Sequence, residues 1–341
     1  MKSPSSRSRA TGRVTLADVA ALAKVSPITV SRALRGERAV ASDLSERVKA
    51  AALKLGYTPD PAARALASRH SDHVAVLIPM LSNNLFVDVL ESIQKTLRQA
   101  GYQTLIGITH YDTREEEQLL REQLQHRPAG ILVTGLDRSD AARTLIEKSG
   151  IPCVHMMELA QSPDVNSVGF SQTQAAITLT QHLLHRGRQR IAFAAAQLDP
   201  RTLQRLEGWR QTLKSAKLYD KALAYTNKSP SSMALGGEML QQIMANDPSV
   251  DAIFFCNDDL AQGALLAAQR LKIKVPQQLA IAGFNDLTGS DLIGPGLTTI
   301  RTPRAVIGEA AAQMLLSLMR HDEVASASVD VGYELMVRGS T

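Results

Sequence analysis

From His73 onward the sequence repeats one pattern, a strand-like apolar run of four to seven residues followed by a stretch with helical amphipathic spacing. The runs fall at Val74–Pro79, Gln103–Thr109, Gly130–Val133, Cys153–Met157, Arg190–Ala195, Ala252–Cys256 and Leu279–Phe284. Such alternation predicts parallel sheets in an α/β fold, because a helical crossover returns the chain to start the next strand in the same direction. About 260 residues of it suit two doubly wound parallel-sheet subdomains with a ligand in the cleft between them.

The first 60 or so residues obey a different rule. Thr15 followed by Asp18 is a capping box in its Asp form, and Leu16, Val19, Ala20 and Ala23 make one apolar face. Lys24-Val25 breaks the pattern. Ser26-Pro27 restarts it as an N-cap and a first-turn proline, giving a second helix over Pro27–Leu34 that Gly36 stops. Ser42 is expected to cap a third, from about Asp43 to Leu55, ended by Gly56. Three short helices with a tight turn between the first two make an all-α helix-turn-helix head, whose second helix can enter a major groove. Tyr57-Thr-Pro-Asp-Pro61 is too proline-rich to be helical. Ala62–Ala67 then reads as a two-turn hinge helix, capped by Asp60 and started by Pro61, that needs a partner to form.

Charge separates the two regions. Residues 1–71 hold 13 Lys and Arg against 5 Asp and Glu, whereas the remainder holds 25 against 28. A head at +8 on a body at −3 implies that the head alone meets a polyanion. Met1–Arg13 carries basic residues but no apolar stretch behind them, so it reads as a disordered basic tail rather than a secretory signal. No apolar run approaches the roughly 18 residues that span a bilayer. Cys153 and Cys256, the only cysteines, lie in strand-like runs and read as buried packing in a cytoplasmic protein.

An enzyme finds little support. Asp258-Asp259 follows a strand without a glycine-rich nucleotide loop, and His182 and His185 have no acidic or thiol ligand at metal spacing. No catalytic residue, metal or cofactor is expected.

Val14-Thr-Leu-Ala-Asp-Val-Ala20, Val25-Ser-Pro-Ile-Thr-Val-Ser-Arg32 and Leu55-Gly-Tyr-Thr-Pro59 resemble the head of the lactose-repressor (LacI/GalR) family in order and spacing. The resemblance continues through Gly150-Ile-Pro152, Arg190-Ile-Ala192, Gly208-Trp209, Cys256-Asn-Asp-Asp259, Gly283-Phe-Asn-Asp286 and Leu297-Thr-Thr-Ile300. It implies a tail at 1–13, a helix-turn-helix domain at 14–58, a hinge at 59–71 and a periplasmic-binding-protein-like sensor at 72–341. The sensor's subdomains would be about 72–171 with 301–325, and 174–297 with 328–341. It also implies a cytoplasmic homodimer that represses transcription from a pseudo-palindromic operator in double-stranded DNA under control of a small effector.

The family's base-reading positions fall on Pro27, Ile28 and Arg32, with Thr29 beside them. Arg32 can pair bidentately with guanine, or else contact phosphate; the apolar Pro27-Ile28 pair can meet only thymine methyls or set shape. Thr15, Ser26 and Ser31 are candidate phosphate contacts. In the hinge, Ala63 and Leu66 match the minor-groove face, Leu66 as the wedge that opens a base step.

Matching effector positions are Phe86, Arg205, Asn257 and Asn285. Asn285 stands where the family often has an Asp that takes sugar hydroxyls. Its neutrality favours an anionic ligand, because a second negative charge in a closed cleft is costly. Leu198-Asp-Pro-Arg-Thr202 and His110-Tyr111 resemble the gluconate-type repressors, which makes Arg201 and Arg205 candidate carboxylate partners. For Arg201 the competing reading is a surface loop charge. A gluconate or ketogluconate-type acid is thus the expected effector, against a neutral sugar or purine, or a sugar-binding protein with no transcriptional role.

Overall fold

The computed structural model describes residues 14–34, 40–58, 71–82 and 84–341, and the chain divides into two compact units, residues 1–70 and 71–341. In the first unit, α1 (Leu16–Ala23), α2 (Pro27–Leu34) and α3 (Ser42–Leu55) enclose a small core that includes Val19, Val30, Ala33 and Val48. The capping box closes as expected: the Thr15 N–H donates to Asp18 Oδ2 at 2.8 Å and the Asp18 N–H to Thr15 Oγ1 at 3.3 Å. Lys24 reverses the chain at a φ of 53°. Ser26 starts α2 by accepting from the Thr29 N–H at 3.2 Å.

The third helix departs from expectation at its start. Ser42 is its first residue rather than its cap, and Ala41 holds the cap position with no side-chain bond. The helical ladder already begins with the Ser45 N–H on the Ala41 carbonyl at 3.0 Å, so the serine lies one residue too far in to cap it. Gly56 ends the helix at a φ of 63°. The tail, Gly36 and the hinge residues Asp60, Pro61, Ala63 and Leu66 lie outside the described residues.

The second unit contains two six-stranded sheets. All seven expected runs form strands: β1 (His73–Ile78), β2 (Gln103–Ile108), β3 (Gly130–Thr134), β4 (Cys153–Met157), β6 (Ile191–Ala195), β8 (Ala252–Phe255) and β9 (Ala280–Asn285). Five further strands have only three or four residues: β5 (Ser167–Gly169), β7 (Ala224–Thr226), β10 (Thr298–Arg301), β11 (Ser328–Asp330) and β12 (Glu334–Met336). The first sheet runs β11-β5-β4-β3-β1-β2 and the second β12-β10-β9-β8-β6-β7. All pairings are parallel except that of β12 with β10.

The chain crosses between subdomains three times, after β5, β10 and β11. One expected boundary shifts. Residues 328–330, expected in the second subdomain, pair with β5 in register Ser328 to Ser167, and the two serine hydroxyls lie 2.9 Å apart. β11 thereby covers the polar edge of the first sheet, and the last crossover falls after Asp330. The helices α4 (Asn84–Gln99), α5 (Thr113–Gln125), α6 (Asp140–Ser149), α7 (Gln172–His185), α8 (Pro200–Ser215), α9 (Met233–Asn246), α10 (Asp258–Arg270) and α11 (Arg304–Met319) complete the unit. α11 packs on α4 in the first subdomain although the strand before it belongs to the second.

Both sheets reverse their strand order between the strand that starts them and the strand two later, β1 and β3 in one, β6 and β8 in the other. Loops leaving such switch points diverge, and the crevice they open is where doubly wound folds hold ligands.

Candidate functional site

In the head, the second helix turns one face inward through Val30 and Ala33 and leaves the other to solvent. Pro27, Ile28 and Arg32 are exposed, and Ile28, at 66% exposure, is a large apolar side chain presented to water without packing. Thr29 and Ser31 are half-buried beside them. At the helix start the Ser26 and Thr29 hydroxyls lie 2.8 Å apart, and no acidic residue stands in the first turn. The Thr15 start is different, because the carboxylate of Asp18 accepts from both the Thr15 hydroxyl and its N–H at 2.8 Å. Of the two helix starts, that of α2 is the one without a local carboxylate opposing an anion.

In the second unit a cavity of about 200 Å³ opens between the carboxyl ends of the two sheets. Phe86, Arg201, Arg205, Asn257 and Asn285 all line it. Four local devices place them. Asp199 caps α8, accepting from the Arg201 N–H at 2.9 Å and the Thr202 N–H at 3.3 Å, and Pro200 fills the first turn. Arg201 and Arg205, four residues apart, then share one helix face. Asn257 caps α10 by accepting from the Leu260 N–H at 3.1 Å. Asn285 ends β9 at a φ of 112°, outside the usual range for a side chain, with its Oδ1 accepting from the Thr302 hydroxyl at 3.1 Å. Phe86, on α4, supplies the apolar wall and meets Tyr111 edge to face.

Arg205 is the best-fixed group in the cavity. Its Cζ lies 3.8 Å from the centroid of the Phe284 ring, Nε and Nη2 donate to Gln172 Oε1 at 2.9 and 2.8 Å, and Nη1 donates to the Cys256 carbonyl at 2.6 Å. Burial weakens its hold on its proton, while Asp199 opposes that shift. A guanidinium has five N–H donors, so two remain for a ligand. Cys256, expected as buried packing, is fully buried, and burial pushes its thiol up to about 11.

Arg201 is not a surface charge. Its residue is 5% exposed, and its guanidinium lies 3.4 Å from Asp199 Oδ1, 3.5 Å from Glu158 Oε2 and 5.8 Å from the centroid of Tyr111. Burial alone would favour loss of its proton; Asp199, Tyr111, Glu158 and Asp137 outweigh that and hold it more firmly charged. Burial pushes the Tyr111 hydroxyl up to about 12, so it remains a donor. Sequence reasoning missed Ser231 and Glu158, and weighed Asp259 only as catalytic material rather than as part of a ligand cavity. Ser231 exchanges hydrogen bonds with Asn257 at 2.8 to 3.0 Å, and Asp259 lines the cavity with its carboxyl raised by burial. Glu158 follows β4 with no motif around it, so nothing in the sequence marked it.

Asp258, weighed above as possible catalytic material, is a structural group. It is fully buried and accepts from the Leu287 N–H at 2.6 Å, the Thr299 hydroxyl at 2.7 Å and the Ser290 hydroxyl at 3.2 Å, which fixes the loop after β9. His182 is bonded to the Thr341 hydroxyl at 2.8 Å, again within the scaffold. Among the described residues no group of three or more His, Cys, Asp or Glu could hold a metal, and no helix is long and apolar enough to cross a membrane.

Two family models match the chain, bacterial regulatory proteins of the lacI family over residues 15–60 and the periplasmic binding protein-like domain over residues 180–341. The HTH-type transcriptional regulator GntR of Pseudomonas aeruginosa is 54% identical over 333 residues, 98% of this chain and 97% of that protein. The chain belongs to the LacI family of bacterial regulatory proteins. Among solved structures, transcription regulator GntR from Chromobacterium violaceum is similar at 48% identity with a TM-score of 0.77, covering 79% of this chain and 98% of that one. The lac repressor dimer bound to operator and the anti-inducer ONPF is similar at 25% identity with a TM-score of 0.85, covering 96% of this chain and 99% of that one. These relatives of the LacI family are transcription regulators, not enzymes.

Proposed function

We propose that this chain is a homodimeric transcriptional repressor of the cytoplasm whose affinity for a pseudo-palindromic operator is controlled by a sugar acid of the gluconate or ketogluconate type. The observation that carries this is the similarity to a transcriptional regulator along 98% of the chain, which spans both the head and the sensor. In this reading residues 14–58 form the DNA-binding domain, 59–71 the hinge and 72–341 the effector and dimerisation domain, behind a basic tail at 1–13. Pro27, Ile28, Thr29 and Arg32 face base edges. Ser26, Ser31 and Thr15 face phosphates, and Ala63 and Leu66 enter the minor groove at the centre of the operator.

In the sensor, Arg201 and Arg205 receive the ligand's carboxylate, Asn257 and Asn285 its hydroxyls, and Phe86 its apolar face. Closure of the subdomains on the ligand shifts the first subdomains of the dimer relative to one another and releases the operator, since ligand and DNA share one conformational equilibrium.

One observation favours a second reading. Asp199 and Asp259 line the same cavity as the two arginines, and paired carboxylates suit the hydroxyls of a neutral sugar. Fluorescence anisotropy of the full-length protein on genomic operator fragments separates the two. Expected is binding that falls steeply with salt and is relieved by gluconate or 2-ketogluconate but not by glucose. Salt-insensitive binding would overturn the repressor reading, and relief by glucose alone would favour the neutral sugar.

A further inference from the structure

Arg201 is the cation on which the sugar-acid reading leans, yet it already serves carboxylates of the protein. Glu158 is 3% exposed and stands just after β4 in the first subdomain, whereas Arg201 and Gln204 stand on α8 in the second. The Gln204 amide donates to Glu158 Oε1 at 2.6 Å and the Leu136 N–H to Oε2 at 3.3 Å. Oε2 lies 3.5 Å from Arg201 Nη1. That nitrogen is buried and, among the described residues, has no acceptor in hydrogen-bond geometry. Gly135, at a φ of 75°, closes the far side: a Cβ there would come within 2.7 Å of Arg201 Nη1 and 2.9 Å of Glu158 Oε2. The carboxylate is therefore held beside the guanidinium by two donors of its own, close enough to screen its charge and too far to satisfy its N–H.

We propose that Glu158 is a specificity-determining residue, an internal competitor for Arg201 that sets how strongly the cleft prefers a charged ligand over a neutral one. The inference rests on the sugar-acid reading above. A ligand carboxylate beside Arg201 enters the field of Glu158, Asp199 and Asp137, so only part of the ion-pair energy appears as affinity. Because Glu158 and its partners Arg201 and Gln204 come from opposite subdomains, the same carboxylate also ties the two subdomains together. A neutral ligand of equal shape meets no such opposition.

The test uses full-length protein, with gluconate and its neutral isostere gluconamide titrated by calorimetry. In the wild type, gluconate is expected to bind with only a small advantage over gluconamide. Glu158→Gln keeps an acceptor for Gln204 and removes the charge, and it should raise the gluconate-to-gluconamide affinity ratio tenfold or more, which a merely structural role would not do. Should that variant not fold, Gln204→Leu removes the amide that partly neutralises Glu158 and should lower the ratio. A ratio unchanged in the variant that folds overturns the competition while leaving the sugar-acid reading standing. Failure of the wild type to bind either ligand overturns that reading and the competition with it.

Discussion

Arg304 holds Asn285 by its main chain: Nη1 donates to the Asn285 carbonyl at 3.0 Å and to the Asp286 carbonyl at 3.0 Å. Its Nε meanwhile pairs with Asp88 of α4 at 2.7 Å. One side chain at a crossover thus joins the strained strand end that carries Asn285 to the helix that carries Phe86. Replacing Arg304 with Ala should leave effector affinity within a few-fold of wild type, since it touches no ligand, and reduce the effector's power to release operator. The coupling at issue is about 1–3 kcal/mol in such systems. Anisotropy titrations with and without saturating effector measure it, and a wild-type release factor in the variant would show that the bridge carries none.

Arg205 should not tolerate lysine. Its three hydrogen bonds and its seat on Phe284 use a planar fork that an ammonium cannot reproduce. Arg205→Lys is expected to weaken effector binding by at least about 100-fold, roughly 2.7 kcal/mol. It should also lower the melting temperature, because Gln172 Oε1 and the Cys256 carbonyl lose buried donors. Calorimetry and a thermal melt on the same sample read both effects.

In the head, Arg32→Ala should weaken operator binding by about 1–3 kcal/mol and relax preference at one base pair if the guanidinium reads guanine. A phosphate contact would instead weaken all sequences alike and lower the salt slope by about one. Binding to a set of singly substituted operators distinguishes these outcomes. Ile28→Gln in the same assay should change which base is preferred at its position, since it replaces an exposed apolar side chain with an amide.

The elements long enough to show a period were legible in the sequence, as were the caps of α1 and α2, because each is specified by residues within one or two turns. Three-residue strands such as β11 were not, since Ser-Val-Asp becomes a strand only by finding the edge that β5 offers. Ser42 failed as a cap for a related reason, as Ala41 was already in place to start the ladder. Within the cavity, Asp199-Pro200 announced a helix start, which is why Arg201 and Arg205 could be named together. The burial of Arg201 could not be read locally, because it depends on Glu158 and Tyr111 arriving from the other subdomain. Those partners meet only through tertiary folding, and residue spacing carries no trace of them.

Asp258 gives a pH dependence whose sign is opposite to that of a surface ion pair. Burial raises its carboxyl to about 6, against the Leu287 N–H and the Thr299 and Ser290 hydroxyls, which favour the ionised form. Since its ordinary value is near 3.8, the folded state binds a proton that the unfolded state has already released between about pH 4 and 6. The stabilisation it contributes is complete below the unfolded value and disappears as pH rises through the folded one. Two units correspond to about 2.7 kcal/mol. Asp258→Asn removes this titration. It also presents an amide nitrogen where the carboxylate accepted hydrogen bonds, so the variant should be less stable at every pH. Urea unfolding of the two proteins from pH 4 to 7 should therefore show wild type losing its advantage over the variant as pH rises toward 6. A difference that stays constant across that range would mean that Asp258 is ionised in the folded state throughout, and that its three donors outweigh its burial.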